Sequence, residues 1–179
     1  MALSAAGVSA GRPRVGAVDA TVHAVRGPDL SPGALYGLLR LRVDVFVVEQ
    51  RCAYPELDGR DLDPGTVHLR IGPEDAPLAC LRLLTEGNGD RRIGRVCTSP
   101  PVRGRGWAGR LVAAALDEVG DDACVLDAQA HLTGLYGGFG FTVSGPGYDW
   151  DGVRHVPMRR RAPSPSTSAG RSEEDTGHG

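Results

Sequence analysis

Residues 103 to 109 read Arg-Gly-Arg-Gly-Trp-Ala-Gly, a spacing of glycine and arginine suited to holding an anion. Glycine lets the main chain approach a ligand closely or adopt positive φ. The helix expected after it offers unpaired N–H groups and about half a positive charge at its first turn. Arg103 and Arg105 add guanidinium groups that match phosphate oxygens in two-pronged fashion. The expected occupant is a pyrophosphate.

Three pyrophosphate loops compete. A nucleoside triphosphatase loop needs GxxxxGK[ST], and all 20 basic residues of this chain are arginine, so the phosphate-binding lysine is missing. Gly104, Gly106 and Gly109 satisfy GxGxxG, but Pro100-Pro101-Val102 separates the preceding strand from the first glycine. Arginines also flank the tight turn, and no second βαβ half follows. The third pattern is Arg103-x-x-Gly106-x-Ala108, in which successive amides wrap a pyrophosphate.

Some thirty residues on, Cys124-Val-Leu-Asp-Ala-Gln129-Ala-His131 leads through Tyr136 to Gly140-Phe141, a buried-type strand followed by a short helix ending at glycine. These two spaced patterns resemble the GNAT acyltransferases, and VFVVEQ, Tyr54-Pro-Glu-Leu-Asp58-Gly, Leu126-Asp-Ala-Gln-Ala-His131 and His155-Val-Pro-Met158 resemble the ElaA-like family within them. The resemblance implies an α/β (α+β) GNAT-type acyl-CoA N-acyltransferase fold, a mixed central sheet flanked by helices. It further implies acetyl-CoA as donor, a small-molecule or peptide amine as acceptor, and no metal. The pyrophosphate would lie on Arg103, Gly104, Arg105, Gly106, Ala108 and Gly109. Gln129 would stand where many such enzymes place an Asn against the coenzyme, and main-chain groups of Val96 and Thr98 would be left free for pantetheine by a splayed central strand.

Acetyl transfer to an alkylamine needs the neutral amine, and taking a group of pKa about 10.4 to neutrality at pH 7 costs roughly 4.6 kcal/mol. A carboxylate can accept that proton and a hydroxyl can protonate the departing thiolate. The resemblance puts the Tyr136 phenol beside the coenzyme sulfur as the acid. Glu49 is the first candidate base, with Glu56, Asp58, Asp61 and Asp63 as rivals; the alternative for all five is a solvated acidic loop around Arg51 and Arg60. Such a loop would favour a cationic acceptor. His131 is expected to be a helix-start side chain, and Cys97 a small buried thiol, so transfer would be direct. Arg42-x-x-x-Phe46, the acidic loop and Ala79 to Leu84 also resemble acyl-homoserine lactone synthases, and a non-catalytic acyl-CoA sensor is a further alternative. The intact pyrophosphate loop favours free coenzyme A.

These residues need elements to hold them. A strand carrying Ile93, Val96 and Cys97 must end at Pro100-Pro101, which remove two backbone donors. Leu111, Val112, Ala115, Leu116 and Val119 share one helical face after the glycine loop. Upstream, Thr21 to Arg26 alternates as a strand. Ser31-Pro32 then opens a helix through Leu35, Leu38, Leu39, Leu41, Val45 and Phe46, whose β-branched end at Val43 to Gln50 reads equally as strand. Further strands are expected at Thr66 to Ile71, Leu78 to Thr85, Cys124 to Gln129, Phe141 to Ser144 and Val153 to Arg159.

The 179 residues suffice for one sizeable core, placed at 20–161 between a flexible tail at 1–19 and a disordered one at 162–179. A net charge of −2 gives no basic field for nucleic acid. The four cysteines lack metal or redox spacing and suit reduced thiols. The start of the chain does not read as a signal peptide, and no apolar run reaches spanning length. A cytoplasmic protein is the expectation, with a homodimer as an open option and no membrane partner.

Overall fold

The computed structural model describes residues 19–161; both expected tails fall outside this range apart from Asp19. Strand β1 (Val22–Arg26) leads to helix α1 (Pro32–Arg42). The Ser31 hydroxyl accepts from the Ala34 amide at 3.0 Å and Pro32 occupies the first helical position, so the helix starts where its cap and missing donor dictate. The ambiguous stretch Val43–Glu49 is a π-helical turn continuing α1. Its wider pitch is closed by the Gln50 amide on the Val45 carbonyl, five residues back, at 3.0 Å.

Strands β2 (Val67–Ile71), β3 (Ala79–Thr85) and β4 (Arg91–Thr98) form an antiparallel meander with β1. Helix α2 (Trp107–Val119) crosses to β5 (Cys124–Gln129), which lies parallel to β4. Short α3 (Thr133–Gly137), then β6 (Thr142–Val143), β7 (Tyr148–Trp150) and β8 (Val153–Arg160) complete an eight-stranded mixed sheet in the order β1-β2-β3-β4-β5-β8-β6, with β7 also on β8. The β7–β8 hairpin is an element the sequence reading missed. It closes on Asp151 and Gly152 at positive φ, the backbone that a tight primed turn requires.

The sheet is covered on both faces. Leu111, Val112 and Ala115 of α2 pack with Leu69, Leu81, Leu83 and Ile93 on one side, and Leu38, Leu41, Val45 and Phe46 meet Cys80 and Cys97 on the other. Central β3 is therefore buried along nearly its whole length, as its almost continuous apolar run requires. The close seating of α1 leaves no room at Gly37, where an added Cβ would fall 2.5 Å from the Asp75 carbonyl oxygen. Gly37→Ala is accordingly expected to lower stability by about 1–3 kcal/mol despite alanine's better helix propensity, read as a lower urea midpoint at unchanged slope.

Two irregularities shape the site. Strands β4 and β5 pair only at Arg91 with Cys124 and Arg92 with Val125, while β5 runs on to Gln129 in register with β8. Beyond Arg92 they separate. Within β4, Leu81 opposes two residues, Arg95 and Val96, because Arg82 pairs with Gly94 and Cys80 with Cys97. Arg95 takes the extra turn of this bulge at φ 54°, a left-handed conformation costing a non-glycine residue about 1–2 kcal/mol.

Candidate functional site

The separation of β4 and β5 opens a cavity of about 390 Å³. Val96, Gln129, Leu132, Tyr136 and His155 line it, together with Phe46 and Gln50 from the end of the first helix, Tyr54 and Asp58 from the loop, and Trp150 from β7. Tyr136 is only 6% exposed and sits edge-on to Phe141, ring centres 6.1 Å apart. Burial pushes its phenol up to about 12.

The glycine loop lies just past β4. Gly104 and Gly106 have φ near +75° (77° and 74°), and a Cβ added at either would meet nothing within 4 Å, so glycine is needed there for conformation and not for space. Residues 103–106 are exposed. Among the described residues, the amides of 104 to 109 make no hydrogen bond to a main-chain carbonyl outside α2, whose first internal bond runs from Arg110 to Gly106. This is an open cradle of donors at a helix start. Arg105 lies over the Trp107 ring at 5.8 Å. Arg103 instead turns away: its guanidinium donates twice to the Glu49 carboxylate at 2.6 and 2.8 Å and once to the Thr98 carbonyl at 3.0 Å.

That arrangement revises several expectations. Glu49 does not line the cavity, and the hydrogen bond from Arg103 holds its carboxyl below the usual range, which weakens it as a base. The Thr98 carbonyl is occupied by Arg103, whereas Val96 stands in the bulge and on the cavity wall. Gln129 donates to the Gln50 side chain at 3.1 Å, joining β5 to the end of the π-helical turn. His131 follows β5 directly, in a short 3₁₀ turn ahead of α3, and is outside the cavity lining.

The acidic loop is not a solvated patch organised by Arg51 and Arg60. Glu56 and Asp61 are buried, at 3% and 6% exposure, against Arg42, which is 1% exposed. Arg42 donates to Glu56 and Asp61; Arg82 holds Asp61 at 2.9 Å and Asp58 with both terminal nitrogens; Arg95 is 2.8 Å from Glu56. Three guanidiniums thus cancel three carboxylates, and the expected attraction for a cationic acceptor is removed at its source. Burial alone would raise Asp58 and Asp61, but Arg82 and Arg42 respectively outweigh it and hold both carboxyls below the usual range. Asp63, half-exposed, reaches only Arg60 at 3.8 Å. The signal for this network was present: Arg82 interrupts the apolar run of β3, and Arg42 falls one helical turn after Leu38 on the buried side of α1. A charge inside an apolar face must be paired.

All four cysteines are free and buried. The Cys97 sulfur is 3.5 Å from that of Cys80, and this neighbour together with burial pushes its thiol up, leaving it a poor acyl carrier.

Residues 57–162 match the model of the acetyltransferase (GNAT) domain family. A UPF0039 protein of Mycobacterium tuberculosis is 52% identical over 136 residues, covering 74% of this chain and 87% of its own length. Among solved structures, an acyl-CoA N-acyltransferase from Pseudomonas aeruginosa superposes with a TM-score of 0.74 at 40% identity, over 78% of this chain and 98% of that one. ElaA of Escherichia coli does so with a TM-score of 0.74 at 35% identity, over 79% and 99%. With the divided sheet and the open amide loop, these similarities establish the chain as a member of the ElaA-like branch of the GNAT acyltransferases, a fold that serves acyl transfer from coenzyme A.

Proposed function

We propose that this protein is an N-acetyltransferase that moves the acetyl group of acetyl-CoA directly to the amine of a small molecule or peptide. The observation carrying this reading is the placement of an exposed, glycine-shaped amide cradle at the same sheet end as the cavity between β4 and β5. The diphosphate of coenzyme A would lie on the amides of Gly104, Arg105, Gly106, Ala108 and Gly109, with pantetheine running along Val96 toward Tyr136. The amides of a helix start favour such an anion without further charge, and Arg105 supplies what Arg103 gives to Glu49. Removing a charge-assisted hydrogen bond costs about 1.5–3 kcal/mol. Arg105→Ala is therefore expected to weaken acetyl-CoA roughly tenfold or more by calorimetry, with Arg103→Ala affecting affinity through loss of the Glu49 tether.

The chemistry follows from what the cavity presents. The acceptor nitrogen attacks the thioester carbon, the C–N bond forms, and the C–S bond breaks with its electron pair leaving on sulfur. A phenol near 12 gives up its proton to a thiolate of pKa about 8.5 only at a cost of about 4.8 kcal/mol. Tyr136 accordingly acts by donating a hydrogen bond to the departing sulfur, and the thiolate leaves stabilised rather than fully protonated. The four buried thiols suit a reducing, cytoplasmic setting.

The test is thiol release from acetyl-CoA against polyamines, amino acids, aminoglycosides and peptide N-termini. Release with at least one class supports the reading; saturable acetyl-CoA binding with none favours a non-catalytic module.

A further inference from the structure

The proposed acetyl transfer needs a base, and the cavity's carboxylates are poorly placed to be one. Asp58 is held by Arg82, while Glu86 and Asp127 both pair with Arg92 at 2.6 and 2.7 Å. Guanidinium groups already occupy oxygens of all three, so none of them presents a free carboxylate to an incoming amine. His155 lines the same cavity and differs. Its Nδ1 lies 2.8 Å from the Val153 carbonyl oxygen. A carbonyl only accepts, so Nδ1 carries the proton and the neutral ring exposes its lone pair at Nε2. Tyr148 stacks on the imidazole with ring centres 5.9 Å apart and Trp150 leans on it at 6.3 Å, which fixes the plane of the ring. Across β5, His155 is in register with Gln129, where the sheet divides.

We infer that His155 is the general base of the acceptor site, its Nε2 removing the amine proton as the nitrogen attacks the thioester. This inference rests on the acetyl-transfer reading above. One N–H proton passes to Nε2, the thiolate departs on the hydrogen bond from Tyr136, and the imidazolium then yields that proton to the sulfur or to water. Amine and thioester become amide and thiol with no other reactant. The groups that surround the ring are Tyr148 and Trp150 of β7, Gln129 of β5 with arginine-bound Asp127 two residues earlier, Tyr54 behind Trp150, and the Asp149–Arg154 pair at 3.2 Å on the hairpin. No unpaired carboxylate is among them.

Two measurements decide the matter. In the full chain with acetyl-CoA bound, long-range ¹H–¹⁵N NMR of the imidazoles, assigned by loss of a signal in His155→Asn, is expected to show Nδ1 protonated and Nε2 bare in the neutral ring. A proton on Nε2 in the neutral ring overturns the inference, whatever the amine panel yields. With the fastest amine of that panel, kcat/KM of the wild type is expected to rise with pH through a one-proton limb, because only the neutral ring accepts a proton. His155→Asn, which can keep a donor to the Val153 carbonyl, is expected to lose that limb and about 10²-fold in kcat/KM while its calorimetric Kd for acetyl-CoA stays unchanged. Wild-type kinetics without such a limb, or a folded His155→Asn enzyme that retains wild-type turnover, overturns it. If no amine reacts, the acetyl-transfer reading falls, and the NMR result still judges the tautomer on which His155 depends.

Discussion

Arg42→Ala is expected to lower the stability of the domain by about 3–5 kcal/mol, the cost of removing one partner from a buried ion pair. Arg42 is among the most deeply buried side chains of the molecule, and its loss leaves Glu56 with Arg95 and Asp61 with Arg82 as the remaining guanidinium partner of each. Denaturant unfolding at pH 7 checks it, with Arg60→Ala as comparison. The Arg60 side chain is over a third exposed and its guanidinium no closer than 3.7 Å to a carboxylate, so its removal should cost under about 0.5 kcal/mol. Equal effects at the two sites would mean that the inner network contributes no more than a surface pair. The same network sets an acid limit. Asp58 and Asp61 have folded-state pKa values below their unfolded ones, so their contribution is fully present above the unfolded value of about 3.9 and is lost as pH falls through the lower folded values. Stability should therefore be insensitive to these groups from pH 7 to about 5 and fall steeply below about 4.

Tyr136→Phe is expected to reduce kcat roughly 10- to 150-fold, the kinetic equivalent of a lost charge-assisted hydrogen bond of about 1.5–3 kcal/mol. The ring stays and so does its edge contact with Phe141, so affinity for acetyl-CoA should hold. Because burial keeps the phenol protonated up to about pH 12, the residual activity of the variant should follow the wild-type pH profile without a missing alkaline limb. A full rate in Tyr136→Phe, or a changed profile with unchanged rate, would remove the phenol from the reaction.

The parts of the fold that could be read in advance are those whose signal is local. Pro100 and Pro101 stop β4, Ser31 and Pro32 start α1, and Gly104 and Gly106 take the positive φ that their spacing suggested. The separation of β4 from β5 followed from family resemblance alone, since no residue pattern encodes where two strands cease to pair. The pairing of charges was illegible for a different reason. Nearness in sequence linked Arg51 and Arg60 to the acidic loop, while the folded chain brings Arg42, Arg82 and Arg95 to it from a helix and two strands. The partner of Glu49 was hidden in the same way, because Arg103 is 54 residues distant. His155 carried its clue in Val153, only two positions before it, but the tautomer becomes visible only when the strand is in place.

The wide turn at Val43–Glu49 has a mechanical consequence. It ends in two neighbouring side chains that reach opposite lips of the cleft, Glu49 to Arg103 of the glycine loop and Gln50 to the tip of β5. Where the sheet has given up its own ladder, this single coil acts as a clasp between the two halves. A residue added or removed there would swing both side chains by about 100° around the helix axis, releasing both lips together, so the length of that coil sets the gape of the whole cleft.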